Sequence, residues 1–438
     1  MRYEHFIKDP VHGYIGITEL EKCFIDTYSF QRLRRILQLP TSVYVYPGAT
    51  HTRFIHSIGS MHVADVFISS TLDKIALSKQ EDRDSIRQFI RLVMLLHDVG
   101  HGPYSHTFEE AVLYNEGVNH EIMGSEILRK DPEAAMCLER FGKDLSFGVE
   151  EISRAIRSRS PSEWPLLRIS GLEEDLEKSL YYIIKGSFSA DIIDYLIRDS
   201  YYTGAGYGSG IDWVRIAYNT NLTRRGLAIN EKALDALENL LISRYHMFMS
   251  VYYHKTSRAI DIMISEVLRE AYEKKDLDPY LRDPLKYIEL DEYSIYGIDT
   301  IRNHPYTRDL MKRKLRFASV EEYRLSLPRT IRLLRAILDK RYLNTLLRER
   351  LPRELSDKVF IDTPLLPLNP MFHSEEILIQ RSDKSLFTRR IDQTTFGELS
   401  ESVVIVRLYI DRDYLDKKEE AQRVFREILR VDEVRSFF

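Results

Sequence analysis

The run Leu95-Leu96-His97-Asp98-Val99-Gly100-His101-Gly102-Pro103-Tyr104-Ser105-His106 constrains this chain more than any other stretch. Three histidines and an aspartate fall within ten residues. Upstream, Ile86, Phe89, Ile90 and Val93 recur at helical spacing and put His97 on the same apolar face. The spacing predicts a buried helix that ends at His97 and is broken by Gly100, Gly102 and Pro103. A lone histidine on an apolar face is ordinarily a hydrogen-bonded core residue. Here seven of the 13 histidines lie between residues 51 and 120, a density that favours a metal site.

With 438 residues the chain is long enough for one large body and a smaller unit. Helices are expected over 26–37, 54–77, the run ending at His97, 105–114, 120–129, a long stretch 231–272, and 417–429, with residues 280–350 helical as well. Short β-type runs lie at 377–379 and 403–410. The expected fold is mainly α: a helical body over 1–350 and a small α+β subdomain over 351–438. Pro364, Pro367 and Pro370 read as a stiff linker.

The net charge of −4, from 63 basic and 67 acidic residues, argues against a nucleic-acid partner. The run Lys312-Arg313-Lys314-Leu315-Arg316 reads as a solvated helix face. Cys23 and Cys137 are too few for a disulfide framework or a thiolate metal site, which favours a reducing cytosol. No apolar signal core follows Met1, and no run nears ~18 apolar residues. A cytoplasmic protein with no membrane partner is expected.

His56, His97, Asp98 and Asp191 offer two nitrogens and two oxygens to a divalent ion, with positions left for water and a substrate oxygen. Iron, manganese, magnesium and zinc all stay open. His106 with Glu109, three residues on, is either a general acid held by a carboxylate or a helix-surface ion pair. Arg53, Arg244 and Lys255 suit phosphate oxygens. Neither GxxxxGK[ST] nor GxGxxG occurs, so a P-loop or Rossmann mode is not expected.

Taken together with Asp9-Pro10-Val11-His12-Gly13, Phe30-Gln31-Arg32-Leu33-Arg34, Gln38-Leu39, the stretch 46–59, His120-Glu121, residues 191–199 and Tyr252-Tyr253-His254-Lys255, this pattern resembles the HD-domain deoxynucleoside triphosphate triphosphohydrolases. The likeness spans most of the chain, and residues 402–429 are similar to that family's C-terminal subdomain. It begins within ten residues of Met1, so the sterile-alpha-motif domain that some members carry is expected to be absent. The resemblance implies an HD-domain helical core and hydrolysis of a deoxynucleoside triphosphate to a deoxynucleoside and inorganic triphosphate. By the same resemblance His56, His97, Asp98 and Asp191 bind the metal. His106 protonates the leaving oxygen, supported by Glu109, and His120 shares that polar cluster. Arg53, His101 and Arg244 contact phosphates, Gln38 and Asp199 hold the sugar 3′-hydroxyl, and Leu39, Tyr195 and Tyr252 crowd the 2′ position.

The resemblance also implies a homo-oligomer, most readily a tetramer, assembled by GTP or a dNTP. Asp26, Gln31 and Arg34 match the positions that read the effector's base. Val45, Arg215, Lys232, His254 and Lys255 match the adjoining pocket. One departure bears on the substrate: Ile192 stands where the family has a lysine beside the last metal aspartate, and Arg198 is the candidate replacement. Two rival readings follow. One is an HD phosphohydrolase acting on another nucleotide or phosphate ester. The other is a nucleotide-sensing scaffold without turnover.

Overall fold

An antiparallel hairpin opens the chain, β1 (His5–Asp9) pairing with β2 (Gly13–Ile17). Thr18 then starts α1 (Glu19–Ile25) with a capping box: its hydroxyl accepts from the Glu21 amide, and the Glu21 carboxylate accepts from the Thr18 amide. Two long helices follow at the centre of the body. α2 (Arg53–Leu72) is buried on nearly every side, as expected of a helix without a continuous polar face. α3 (Gln80–Leu96) packs along it, with Ile86, Phe89, Ile90 and Val93 wholly enclosed. The helices α4 (His106–Ala111), α5 (His120–Lys130) and α6 (Pro132–Phe141) come next, and α7 (Ala190–Thr203) packs against α2. This computed structural model describes residues 1–77, 79–327, 339–364, 376–390 and 402–429.

The second half adds β3 (Thr220–Thr223), β4 (Gly226–Asn230), α8 (Leu234–Met247), α9 (Lys255–Glu273), β5 (Phe317–Leu327), α10 (Lys340–Arg350), β6 (Val359–Asp362), β7 (Glu376–Gln380), β8 (Leu386–Arg390), β9 (Ser402–Asp411) and α11 (Lys418–Leu429). Two sheets result, one in the order β3-β4-β7-β8 and the other β5-β9-β6. β4 and β7 run parallel, while β9 is antiparallel to both neighbours. Each sheet draws strands from both sides of residue 350. A small second core, including Leu343, Leu347, Ile361, Leu408 and Phe425, lies between the β5-β9-β6 sheet and helices α10 and α11. That sheet also grips the body. Asp362 takes two bonds from Arg258 at 2.6 and 2.9 Å, Arg407 donates to the Tyr253 carbonyl at 2.6 Å, and the Tyr409 hydroxyl donates to the Lys255 carbonyl at 2.9 Å.

The mainly helical architecture agrees with expectation, and four local expectations do not. Residues 26–37 hold only a one-turn helix, Tyr28–Gln31, and a 3-10 turn, Arg32–Arg35. The long helix over 231–272 is interrupted: an i→i+5 turn at Phe248–Tyr252 and a break at Tyr253–His254 separate α8 from α9. Within 280–350, residues 317–327 form β5, because β9 supplies a ladder partner that no local pattern reveals. The basic run 312–316 is a turn, and Arg313 donates to the Tyr44 carbonyl. The cysteines also differ from expectation: Cys23 of α1 and Cys137 of α6 are joined in a disulfide across 114 residues. The cysteine count therefore no longer argues for a reducing compartment. Of the three linker prolines, Pro367 and Pro370 lie outside the described residues. Among the described residues no helix is long and apolar enough to cross a membrane.

Candidate metal centre and active-site cleft

Three helix ends converge on one cluster. His56 comes from the first turns of α2, His97 and Asp98 follow α3 directly, and Asp191 stands in the first turn of α7. His56 Nε2 lies 3.0 Å from Asp191 Oδ1 and 3.7 Å from Asp98 Oδ2. His97 Nε2 lies 3.3 Å from Asp98 Oδ1 and 3.6 Å from Asp191 Oδ1. His97 Nδ1 meets the Met94 carbonyl at 2.6 Å, which turns Nε2 toward the carboxylates. Burial works against the His56 imidazolium, but hydrogen bonds to Asp191 and Asp194 outweigh it and push the pKa up to about 10. For Asp191, burial is outweighed by His56 and His97, and its carboxyl is held below the usual range. Two carboxylates and two imidazoles thus converge on one point, a donor set of the kind that could hold a divalent ion. One atom each of His56, His97 and Asp191 lie within 4.8 Å of one another.

The turn after Asp98 needs glycine at residue 100, where a Cβ would stand 2.0 Å from the His120 carbonyl oxygen and 2.3 Å from the Gly124 amide. This close approach seats α5 beside the turn. Tyr104 (φ 61°) and Ser105 (φ 53°) then adopt left-handed backbone, which is strained for such residues. Glu292 holds the strained turn: its Oε1 accepts from the Tyr104 amide at 3.2 Å and from the Leu37 amide at 3.0 Å. Its Oε2 is sealed from solvent without a partner, and burial pushes the carboxyl up to about 8. Ser105 Oγ accepts from Arg53, whose Nη1 also donates to Asp98 Oδ2 at 2.6 Å.

A second imidazole cluster adjoins the first. His101 stacks on His120 with centroids 3.9 Å apart, and His106 stands edge-on to both. Glu109 joins the two outer rings, with His106 Nδ1 and His120 Nδ1 each 2.9 Å from its carboxylate. Burial opposes the Glu109 charge, but His106 and His120 prevail and hold its carboxyl well below the ordinary range. His106 is 67% exposed and Glu109 only 4%, so the imidazole reaches outward from a buried carboxylate. Burial, together with Arg53 and His120, keeps His101 well below the usual histidine pKa.

Beside these clusters opens a cleft of about 370 Å³ lined by Gln38, Leu39, Arg53, His106, Tyr195, Asp199 and Tyr252 among others. Asp199 is fixed by His51 Nε2 at 2.7 Å and by the Tyr252 hydroxyl at 2.8 Å. Tyr195 and Tyr252 meet edge to face at 6.0 Å. Gln38 Oε1 is buried with no partner, as are Nε and Nη1 of Arg244. The cleft also takes in Arg258, Asp261 and Lys340, which sequence reasoning missed. It missed His51 and Glu292 too, although His51 stands in the Tyr46–Gly59 stretch that carries the resemblance. Arg198 does not replace the lysine absent at Ile192. It is fully buried and spent on Asp194 and Asp9.

The expected effector residues make local contacts within this single chain. Asp26 pairs with Lys22 at 3.2 Å, while Arg34 donates to Gln31 Oε1 at 2.8 Å and lies over the Phe54 ring. Arg215 pairs with Asp235 at 3.2 Å and donates to the Lys232 carbonyl. His254 caps α9, Lys255 is exposed, and Val45 is half-buried.

Known proteins resemble this chain in sequence and in fold. The HD domain profile matches residues 53–185, and the HD associated region matches 211–321. An uncharacterized protein of Methanocaldococcus jannaschii, MJ1154, is 35% identical over 276 residues, covering 62% of this chain and 51% of that protein. The deoxynucleoside triphosphate triphosphohydrolase SAMHD1 homolog of Dictyostelium discoideum is 31% identical over 301 residues, 67% of this chain and 54% of that protein. The chain thus spans about half the length of these curated relatives. In fold it is similar to a hypothetical protein from Aquifex aeolicus, with a TM-score of 0.69 at 24% identity over 95% of this chain and 99% of that one.

Proposed function

We propose that this chain, which belongs to the HD-domain family that includes deoxynucleoside triphosphate triphosphohydrolases, hydrolyses deoxynucleoside triphosphates to deoxynucleoside and inorganic triphosphate. One observation carries the reading. In the cleft, which shares Arg53 with the His56, His97, Asp98 and Asp191 cluster, stands an unpartnered acceptor, Gln38 Oε1, and Arg244, near Tyr195 of the cleft wall, keeps two unpartnered donors, Nε and Nη1. An acceptor of this kind suits a sugar hydroxyl, and guanidinium donors suit phosphate oxygens.

His56, His97, Asp98 and Asp191 would hold a divalent ion, whose chemistry is to polarise a phosphoryl oxygen and to acidify water. Arg53 and Arg244 draw charge from the phosphates, with His101 beside them. His106 delivers a proton to the leaving 5′-oxygen from Nε2, since Nδ1 is held by Glu109 and the same carboxylate steadies His120. Asp199 and Gln38 hold the 3′-hydroxyl. Leu39, Tyr195 and Tyr252 leave the sugar no room at C2′, because the Tyr252 hydroxyl is fixed on Asp199. We further propose an effector-assembled homo-oligomer through Asp26, Gln31, Arg34 and the pocket around Arg215, Lys232 and Lys255.

A second reading has one observation in its favour. Ile192 is buried and apolar, and Arg198 is unavailable, so the lysine that the resembled family carries beside the last metal aspartate has no replacement there. An HD phosphohydrolase acting on a nucleotide with fewer phosphates fits that deficit. Incubating the chain with each deoxy- and ribonucleoside mono-, di- and triphosphate in Mn²⁺, Mg²⁺, Fe²⁺ and Zn²⁺, followed by chromatography of all products, separates the two. Inorganic triphosphate released in one step supports the first reading. Orthophosphate or pyrophosphate released without triphosphate overturns it.

A further inference from the structure

The Asp9-Pro10-Val11-His12-Gly13 turn joins β1 to β2 far upstream of the first metal-ligand candidate, and the reaction described above gives it no part. Its side chains nonetheless end against the metal centre. Asp9 Oδ1 accepts from the Val11 and His12 amides at 2.8 and 2.9 Å, which closes the turn. Asp9 Oδ2 accepts from Arg198 Nη1 at 2.8 Å. Arg198, wholly buried, clasps Asp194 through two bonds, Nε to Oδ2 at 2.8 Å and Nη2 to Oδ1 at 2.9 Å. Asp194 meets two more groups: Oδ1 lies 2.6 Å from His12 Nε2, and Oδ2 lies 2.8 Å from His56 Nδ1.

Four nitrogens from three residues thus fill the four lone-pair positions of one carboxylate. An ionised carboxylate only accepts, so a neutral His56 carries its hydrogen on Nδ1 and presents the lone pair of Nε2. That nitrogen is the one 3.0 Å from Asp191 Oδ1. The fit leaves no slack. A Cβ at Gly59 of α2 would stand 2.0 Å from Arg198 Nη2 and 2.1 Å from Asp194 Oδ1, both fully enclosed, so glycine lets this pair come up against the helix that carries His56. Trp213 packs edge-on against His12 at 5.6 Å from the outer side.

We propose that Asp9, His12 and Arg198 are positioning residues of the metal centre, which act through Asp194 to fix the ring plane and tautomer of His56. The proposal rests on the reading of His56 as a metal ligand. Partners behind a ligating histidine typically change metal affinity 10–100-fold.

The test uses the full chain, stripped of metal by a chelator and titrated with Co²⁺ alone, followed by calorimetry and by the visible absorption band. His12→Leu removes the donor to Asp194, whereas His12→Gln returns an N–H near the place of Nε2. His12→Leu is expected to bind Co²⁺ about 10–100-fold more weakly and with a shifted band, and His12→Gln to recover most of both. Wild-type Co²⁺ affinity and an unshifted band in folded His12→Leu overturn the proposal, whatever that variant does to thermal stability. Should His12→Leu fail to fold, Asp9→Asn answers the same question. It keeps the turn's backbone bonds and drops the charge facing Arg198, so weaker Co²⁺ binding supports the proposal and unchanged binding overturns it. An unaltered protein that takes up no Co²⁺ refutes the metal centre itself, a failure distinct from that of the network.

Discussion

Replacing Glu292 by glutamine should change how stability depends on pH. Glu292 Oε1 accepts two amides while Oε2 is sealed without a partner, and burial lifts the carboxyl from an ordinary 4.5 to about 8. The native state therefore keeps a proton that the unfolded chain releases between these values. Its contribution is complete below about pH 4.5 and is lost as pH rises through about 8. Each pH unit in that window costs up to about 1.4 kcal/mol, so the whole window amounts to at most about 5 kcal/mol, and to roughly half of that once water and side chains relax. Glutamine keeps the carbonyl acceptor for Leu37 and Tyr104 and does not titrate. Glu292→Gln should match the unaltered protein within about 1 kcal/mol at pH 5 and exceed it by about 2–5 kcal/mol at pH 9. Urea unfolding followed by circular dichroism at pH 5, 7 and 9 measures the difference. Parallel curves for the two proteins, with no divergence above pH 5, would refute a proton held on Glu292.

Other outcomes follow from the site. His56→Ala combined with Asp98→Ala should leave less than stoichiometric divalent metal by elemental analysis, and a full complement contradicts the assigned ligands. His106→Ala should keep its metal and lose about 10²–10⁴-fold in kcat, least for substrates with good leaving groups; normal turnover removes His106 from the mechanism. Tyr252→Ala frees Asp199 and opens the cleft near C2′, so the ATP to dATP ratio of kcat/KM should rise, and equal turnover of both by the unaltered enzyme defeats the sugar reading. Asp26→Ala with Arg34→Ala should abolish any gain in assembly or rate from GTP or a dNTP while leaving metal bound. Sedimentation alongside initial rates checks this, and a monomer with effector-independent kinetics overturns the assembly proposal.

The four metal-ligand candidates were legible because each sits in a local pattern. His97 and Asp98 end an apolar stripe, while His56 and Asp191 are ligand-type residues inside the stretches 46–59 and 191–199 that carry the resemblance. What supports them was not legible. The His12–Asp194 bond spans 182 residues and the His51–Asp199 bond 148, and no periodicity encodes which buried polar groups will face each other. The Cys23–Cys137 disulfide is hidden for the same reason. The break after Tyr252 carries neither glycine nor proline, so the usual punctuation is missing where the long helix divides. In β5, Glu321, Glu322 and Arg324 have ordinary helix propensity, and pairing with the distant β9 overrides it.

The C-terminal sheet's grip on the segment around Tyr252 sets an order of events during synthesis. All four metal-ligand candidates have left the ribosome once α7 has emerged. Arg407 and Tyr409, which hold the Tyr253 and Lys255 carbonyls, follow roughly 200 residues later, on the order of 10–40 s at ~5–20 residues per second. The nascent chain thus completes the half that carries the metal-ligand candidates well before the cleft wall around Tyr252 is fastened in place.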